Sequence, residues 1–151
     1  MTNPIIETRL NPPDLLQRMA KYPDVLSKEV KATLETANYH VWASVPSYPQ
    51  KPVGSRYRRT GTLGRSLGIS EQGGTFGNPD VLTVKSIGGG KQEARFGTRL
   101  IYAPYVIGAK TQARQNRHWY TMETIAKNAE AGIHKLFDGL SKKLVKFLDG
   151  K

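Results

Sequence analysis

The chain has 151 residues, no cysteine and a formal net charge of +11, from 23 lysine and arginine residues against 12 aspartate and glutamate residues. This length fits one domain, and the absence of cysteine excludes disulfides, cysteine zinc sites and thiol catalysis. An apolar run of the roughly 20 residues that a membrane-spanning helix needs does not occur. The cationic excess favours an anionic partner, such as nucleic acid, a membrane surface or an acidic protein face.

The N-terminal third predicts two helices. Its first ten residues, MTNPIIETRL, lack the basic and apolar regions of a signal peptide, which indicates synthesis in the cytosol. Residues 1–12 are predicted to be a flexible lead-in, followed by a short helix over residues 13–21 with prolines in its first turn. Pro23 is predicted to interrupt it, because the residue before a proline is pushed out of the helical region. A longer helix is predicted over residues 23–43, since Leu26, Val30 and Leu34 recur at helical spacing.

Residues 45–62 are predicted to form a long basic arm. Pro46, Pro49 and Pro52 cannot all sit in a helix interior, so the first half should be extended or polyproline-like. Loops longer than about 12–15 residues without secondary structure are usually functional or disordered, so a binding role is expected. The following residues, 63–70, are predicted to be a strand.

A small antiparallel sheet is predicted next. Residues 81–87 alternate as a strand does, and residues 92–98 are expected to pair back on them after the turn at Gly88, Gly89 and Gly90. Although Lys91 follows these glycines, the spacing of a phosphate-binding P-loop is missing, so a hairpin turn is the favoured interpretation. A third apolar run, residues 100–107, is expected to bend or to lie at a sheet edge because Pro104 stands inside it.

The clearest predicted helix covers residues 118–148, where apolar residues recur every three or four positions. A basic loop over residues 108–117 precedes it. The fold class is therefore α+β, with an N-terminal helix, a long basic proline-rich arm, a small antiparallel β-sheet and a long C-terminal helix in a single domain of residues 1–151.

Two windows of the sequence contain no carboxylate, residues 36–70 and residues 94–122. Three interpretations stay open: solvated cationic faces, a nucleic-acid surface in which an aromatic side chain lies among cations, and arginines that pair with carboxylates of another subunit. No histidine cluster, nucleophile motif or pair of acids suggests a metal or catalytic site, so no enzyme and no cofactor is expected. A small nuclease or toxin is the remaining enzymatic alternative. The windows hold Lys51, Arg56, Arg58, Arg59, Arg65, Arg95, Arg99, Lys110, Arg114 and Arg117.

Three sequence blocks resemble a family of bacteriophage morphogenesis proteins. They are YPQKPVGSRYRRTGTLGRSL, the later YAPYVIG and then RHWY, within residues 48–67, 98–109 and 113–120. The family comprises the small neck proteins of long-tailed phages, known as head–tail connector or tail-completion proteins (minor tail protein Z-like).

The resemblance implies a structural virion protein that joins head and tail. Such a subunit is expected to assemble in a ring, sixfold in symmetry, between the connector and the tail tube of the virion, after synthesis in the host cytoplasm. Its partners would be further copies of itself, the neighbouring connector, tail-terminator or tail-tube proteins, and the DNA in the lumen. The alternative is a sequence-nonspecific nucleic-acid-binding module. The residues expected to contact partners are Lys51, Arg56, Tyr57, Arg58, Arg59, Arg65, Tyr102, Tyr105, Arg114 and Arg117.

Overall fold

The computed structural model describes residues 13–56, 58–72 and 74–150, with side chains from residue 17 onward. The predicted lead-in of residues 1–12 and Tyr57 lie outside the described residues. The described chain confirms the α+β class, with an N-terminal helix, a two-stranded antiparallel sheet and a long C-terminal helix. The elements in order are α1 (Pro13–Ala43), α2 (Thr62–Leu67), β1 (Val81–Gly88), β2 (Lys91–Gly97), α3 (Ala103–Ile107), a 3₁₀ turn (Arg114–Asn116) and α4 (Met122–Asp149).

The predicted break at Pro23 is wrong, because α1 is one helix of 31 residues that continues through it. A proline inside a helix removes one backbone hydrogen bond and costs about 3 kcal/mol. Pro23 is exposed, so the carbonyl group that loses its partner can bond to water instead. Half-buried Leu26 and Val30 continue the apolar stripe of the helix after the proline.

α1 and α4 pack as an antiparallel pair. Near one end His40 lies against Gly132, so closely that a β-carbon at the glycine would overlap the imidazole ring. Nearer the other end, Lys143 Nζ donates to Glu29 Oε2 at 2.6 Å. The predicted C-terminal helix is confirmed, although it starts at Met122 rather than at residue 118.

The predicted strand over residues 63–70 is wrong, since this segment forms α2. Leu63 and Leu67 are buried and four residues apart, which is a helical spacing. Gly68 ends the helix in the left-handed conformation, with φ of 65°. The amide groups of Gly68 and Ile69 donate to the carbonyl groups of Arg65 and Gly64 at 3.1 and 2.9 Å, which is a Schellman motif.

The apolar run over residues 100–107 contains a short helix, α3, rather than an edge strand. Pro104 lies in the first turn of this helix, where its missing amide hydrogen has no intrahelical acceptor in any case. Ala103 and Ile107, four residues apart, are both buried. The proline that argues against a strand therefore fits the start of a helix.

The predicted hairpin is confirmed in its strands and its turn. β1 pairs with β2 in antiparallel register, with Thr83 opposite Arg95. Gly88, Gly89 and Gly90 all have positive φ, so they form the turn between the strands. Buried Asn38 of α1 anchors the hairpin, because its Nδ2 donates to the carbonyl oxygens of Thr83 and Arg95 at 3.3 and 3.0 Å.

The hydrophobic core lies where the C-terminal half of α1, the start of α4 and the short elements meet. Trp42 connects two of them, because its indole Nε1 donates to the carbonyl oxygen of Gly68 at 2.9 Å. Leu67 and Ile125 are completely buried. The buried cluster consists of Trp42, Val45, Leu63, Leu67, Ile69, Ala103, Ile107, Trp119 and Ile125.

Candidate partner-binding surface

The segment 46–61 is here called the arm loop, and its described residues form neither helix nor strand and fold back on themselves. A turn reverses the chain, with the Ser55 amide donating to the Pro52 carbonyl group at 3.1 Å. Beyond the turn, the Arg59 guanidinium group donates from Nη2 to the Pro49 carbonyl oxygen. The predicted extended arm is therefore a closed loop whose two halves are connected by Arg59.

An aromatic cluster holds the arm loop on the core. The Arg59 guanidinium group lies 5.3 Å from the ring centre of Trp119 and 5.8 Å from that of Tyr48, at distances typical of cation–π contacts. The Tyr48 and Trp119 rings meet edge to face at 5.2 Å, and Tyr120 packs on Trp119 at 5.8 Å. Trp119 precedes α4 and is buried. Tyr48, Arg59, Trp119 and Tyr120 are called the aromatic clamp below.

Burial changes the chemistry of both clamp tyrosines. Burial raises the pKa of the Tyr48 phenol, and the nearby Glu71 carboxylate adds to the increase. Burial also raises the pKa of Tyr120, whose hydroxyl group is shielded from solvent and has no hydrogen-bond partner among the described residues. Both side chains are therefore neutral at physiological pH and serve as packing groups.

The other described cations of the arm loop lie on its surface. Lys51, Arg56 and Arg58 are exposed, whereas Arg59 is half-buried. Val53, at the turn between the two halves, is fully exposed. Within the described part of the chain, none of the three exposed cations forms an ion pair. The arm loop thus presents uncompensated positive charge on a backbone that its own contacts hold in place.

The remaining predicted contact residues surround the arm loop or the 3₁₀ turn. Arg65 is exposed, with Nη2 donating to the Thr60 carbonyl group at 3.0 Å. Arg114 and Arg117 are exposed at the 3₁₀ turn. Tyr102 and Tyr105 have 44% and 58% of their surface exposed, which favours a contact role over a core role for the tyrosine rings. Tyr57 is outside the described residues.

The two carboxylate-free windows meet across a cleft of about 150 Å³, here called the basic cleft. The arm loop forms one wall and the segment around the 3₁₀ turn forms the other. No acidic residue lines the cleft among the described residues. The sequence identified both windows, but it did not indicate that they lie next to each other. Their proximity depends on the contact of Arg59 with Trp119, 60 positions later. The lining residues are Lys51, Pro52, Ser55, Arg59, Gln115, Asn116, His118 and Trp119.

Across residues 13–56, 58–72 and 74–150, no group of three histidine, aspartate or glutamate side chains is placed to hold a metal ion. The same residues contain no helix that is both long and apolar enough to cross a bilayer.

Comparison with known proteins finds no matching family model, no similar curated protein and no similar solved structure.

Proposed function

We propose that this protein is a structural, non-enzymatic subunit of the neck of a long-tailed bacteriophage. It would complete the tail and join it to the head by assembling in a ring between the connector and the tail tube. In the infected cell, the subunit would be present in the host cytoplasm before it enters the virion. The three sequence blocks that resemble neck proteins support this role. The observation that carries it is the arm loop, in which three exposed cations form no ion pair among the described residues.

The arm loop suits a subunit-to-subunit contact for an entropic reason. Binding costs free energy when it orders loops and side chains, so a loop that is already fixed loses less conformational entropy on binding. Prolines limit the backbone of one half of the loop, and the aromatic clamp fixes the other half at Arg59. If the loop of one copy contacts a different surface of the next copy, the contacts are heterologous and can close into a ring.

The first test is electron microscopy of lysates from the phage genome that carries this gene, with the gene deleted. The expected result is filled heads beside separate tails of normal length. Intact infectious particles would refute the proposal. Supplying the protein from a plasmid should restore joined particles, which gives an assay for variants.

A triple variant, Lys51→Ala with Arg56→Ala and Arg58→Ala, tests the arm loop in this assay. These side chains are exposed and unpaired in the described chain, so the variant should fold normally but fail to restore joined particles. The matched control is Lys127→Ala with Lys135→Ala and Lys142→Ala, which removes the same charge from exposed positions of α4. If both variants restore joining equally well, the arm loop is not the contact.

A nucleic-acid-binding module is the second candidate, favoured by the same unpaired cations. Neutralisation of phosphates makes the logarithm of affinity fall linearly with the logarithm of salt concentration, by about 0.9 per phosphate contact on duplex DNA. Titration of the purified protein with a short DNA duplex at several salt concentrations would measure this slope. A steep slope that decreases in the arm-loop variant, but not in the α4 control, would support this candidate.

A further inference from the structure

The basic cleft has the character of an anion site. One wall contributes Lys51 and Arg59, and the other contributes Gln115 and Asn116. A volume of about 150 Å³ can hold a side chain or a single anionic group, but not a folded segment. Because the lining contains no carboxylate among the described residues, no internal anion compensates the cations.

Two donors of the cleft, on Lys51 and Gln115, are exposed, and a third is buried at Arg59. Lys51 forms no ion pair, and the side-chain amide of Gln115 makes no hydrogen bond, within the described part of the chain. The Arg59 Nη2 atom is used by the Pro49 carbonyl group, but its Nε–H group is buried and has no acceptor among the described residues. Asn116 is different, because its Nδ2 donates to the Tyr105 carbonyl group at 2.9 Å.

The same cleft is poorly suited to a nucleobase. Non-sequence-specific binding of single-stranded nucleic acid relies on aromatic faces on which bases stack. Trp119 is the aromatic residue of the lining with the largest ring, but only 8% of its surface is exposed. The Arg59 guanidinium group lies over its ring, and Tyr48 and Tyr120 pack against it. The cleft therefore offers hydrogen-bond donors and positive charge, its indole face is covered, and the exposed ring among its described lining residues is the small imidazole of His118.

We propose that the basic cleft binds a carboxylate side chain from an acidic segment of a partner protein. Lys51 supplies the charge, Gln115 donates a hydrogen bond, and Arg59 forms the floor between them. Charge-assisted hydrogen bonds of this kind are stronger than neutral ones. The proposal rests on the proposed function in taking the partner to be a neighbouring protein of the neck, and it adds the chemistry by which that neighbour is recognised.

The test is calorimetric titration of the intact protein with a hexaglutamate peptide, with hexaglutamine as the neutral probe. Hexaglutamate should bind and hexaglutamine should not. The variant Lys51→Gln with Gln115→Ala should weaken hexaglutamate binding about tenfold, since it removes one charge and one donor from exposed positions. The matched control is Lys127→Gln with Asn128→Ala, two exposed positions of α4, which should change binding less than about twofold.

Three results would overturn the proposal. One is that hexaglutamate does not bind at low salt. Another is an equal loss in the cleft variant and in the α4 control, because binding would then follow net charge alone. The third is tighter binding of single-stranded hexathymidylate that also depends on Lys51 and Gln115, which would assign the cleft to nucleic acid. Joined particles in the gene-deletion lysate would refute the neck function alone, because the peptide titration uses the isolated protein.

Discussion

The two halves of the α1–α4 pair differ in what surrounds them. One half, here called the core half, contains the buried cluster around Leu67 and Ile125 and carries the arm loop. The other half, the stem, consists of residues 17–34 of α1 and residues 133–149 of α4. In the stem only Leu140 is buried among the described residues, and even it keeps 9% of its surface exposed.

The difference shows that periodicity alone does not create a core. Both halves have apolar residues at helical spacing, and both pack one helix on the other. Two helices can cover only one stripe of each other, so stem residues such as Val145 remain 57% exposed. In the core half, α2, α3 and the segment before α4 form a further layer that encloses the stripe. The large side chains of Leu67 and Ile125 are therefore completely buried where the short elements add to the helix pair.

The largest expected effect compares the same substitution in the two halves. Leu67→Ala should lower the free energy of unfolding by about 4–5 kcal/mol, because Leu67 is completely enclosed and the cavity cannot collapse easily. Leu140→Ala should cost closer to 2 kcal/mol, roughly the low end for such substitutions, because solvent borders the site. Urea denaturation followed by circular dichroism measures both values. Equal losses would mean that the stem is as well packed as the core half.

A smaller effect is expected from the two neighbouring arginines of the arm loop. Arg59→Ala removes two cation–π contacts and the hydrogen bond to Pro49, so it should destabilise the protein by about 1–3 kcal/mol. Arg58→Ala, at an exposed position, should change stability by less than about 0.5 kcal/mol. Thermal unfolding of both variants measures the difference. The reverse ranking would show that Arg59 does not fix the loop.

The smallest expected effect concerns Tyr120 and depends on pH. Burial raises the pKa of Tyr120 in the folded state, so the phenol ionises more easily in the unfolded state. The free energy of unfolding is therefore unaffected by this ionisation below the ordinary phenol pKa, and it falls as the pH rises further. Tyr120→Phe should gain about 1 kcal/mol at neutral pH by removing an unpaired buried hydroxyl group. The gain should increase above about pH 10, where the wild-type phenol ionises on unfolding.

Urea denaturation at neutral pH and at about pH 10.5 tests this prediction. The control is Tyr39→Phe, because 55% of Tyr39 is exposed and its hydroxyl group can contact water. This control should change stability little at either pH. A pH-independent effect of Tyr120→Phe would show that ionisation of this phenol is not linked to unfolding.

The sequence predicts the fold well where one periodic pattern runs uninterrupted. The hairpin, its glycine turn and most of α4 follow from such patterns. The errors fall where proline or glycine had two possible meanings. Pro23 marks a helix break only if its surroundings cannot supply water to the carbonyl group, and Pro104 excludes a central strand but also starts a helix. At α2, the spacing of Leu63 and Leu67 together with Gly68 indicates a capped helix, so this error was avoidable.

The candidate surface could be predicted in composition but not in arrangement. The absence of carboxylates identified both cationic windows. The side chains of Lys51, Arg56 and Arg58 are exposed, as a contact with a partner requires. The inward position of Arg59 depends on Trp119, which lies far away in the sequence, so no local pattern could have indicated it. Likewise, the basic cleft exists only because two distant loops fold against each other.

The antiparallel course of α1 and α4 has a practical consequence. α4 begins beside Trp119, next to the basic cleft, and ends at Asp149 after 28 residues, so its far end lies about 42 Å away at a rise of 1.5 Å per residue. Gly150 follows it and lies against Arg18 near the start of α1. A fluorophore or gold label attached beyond Gly150 would therefore report the orientation of each subunit in the proposed ring without touching the arm loop.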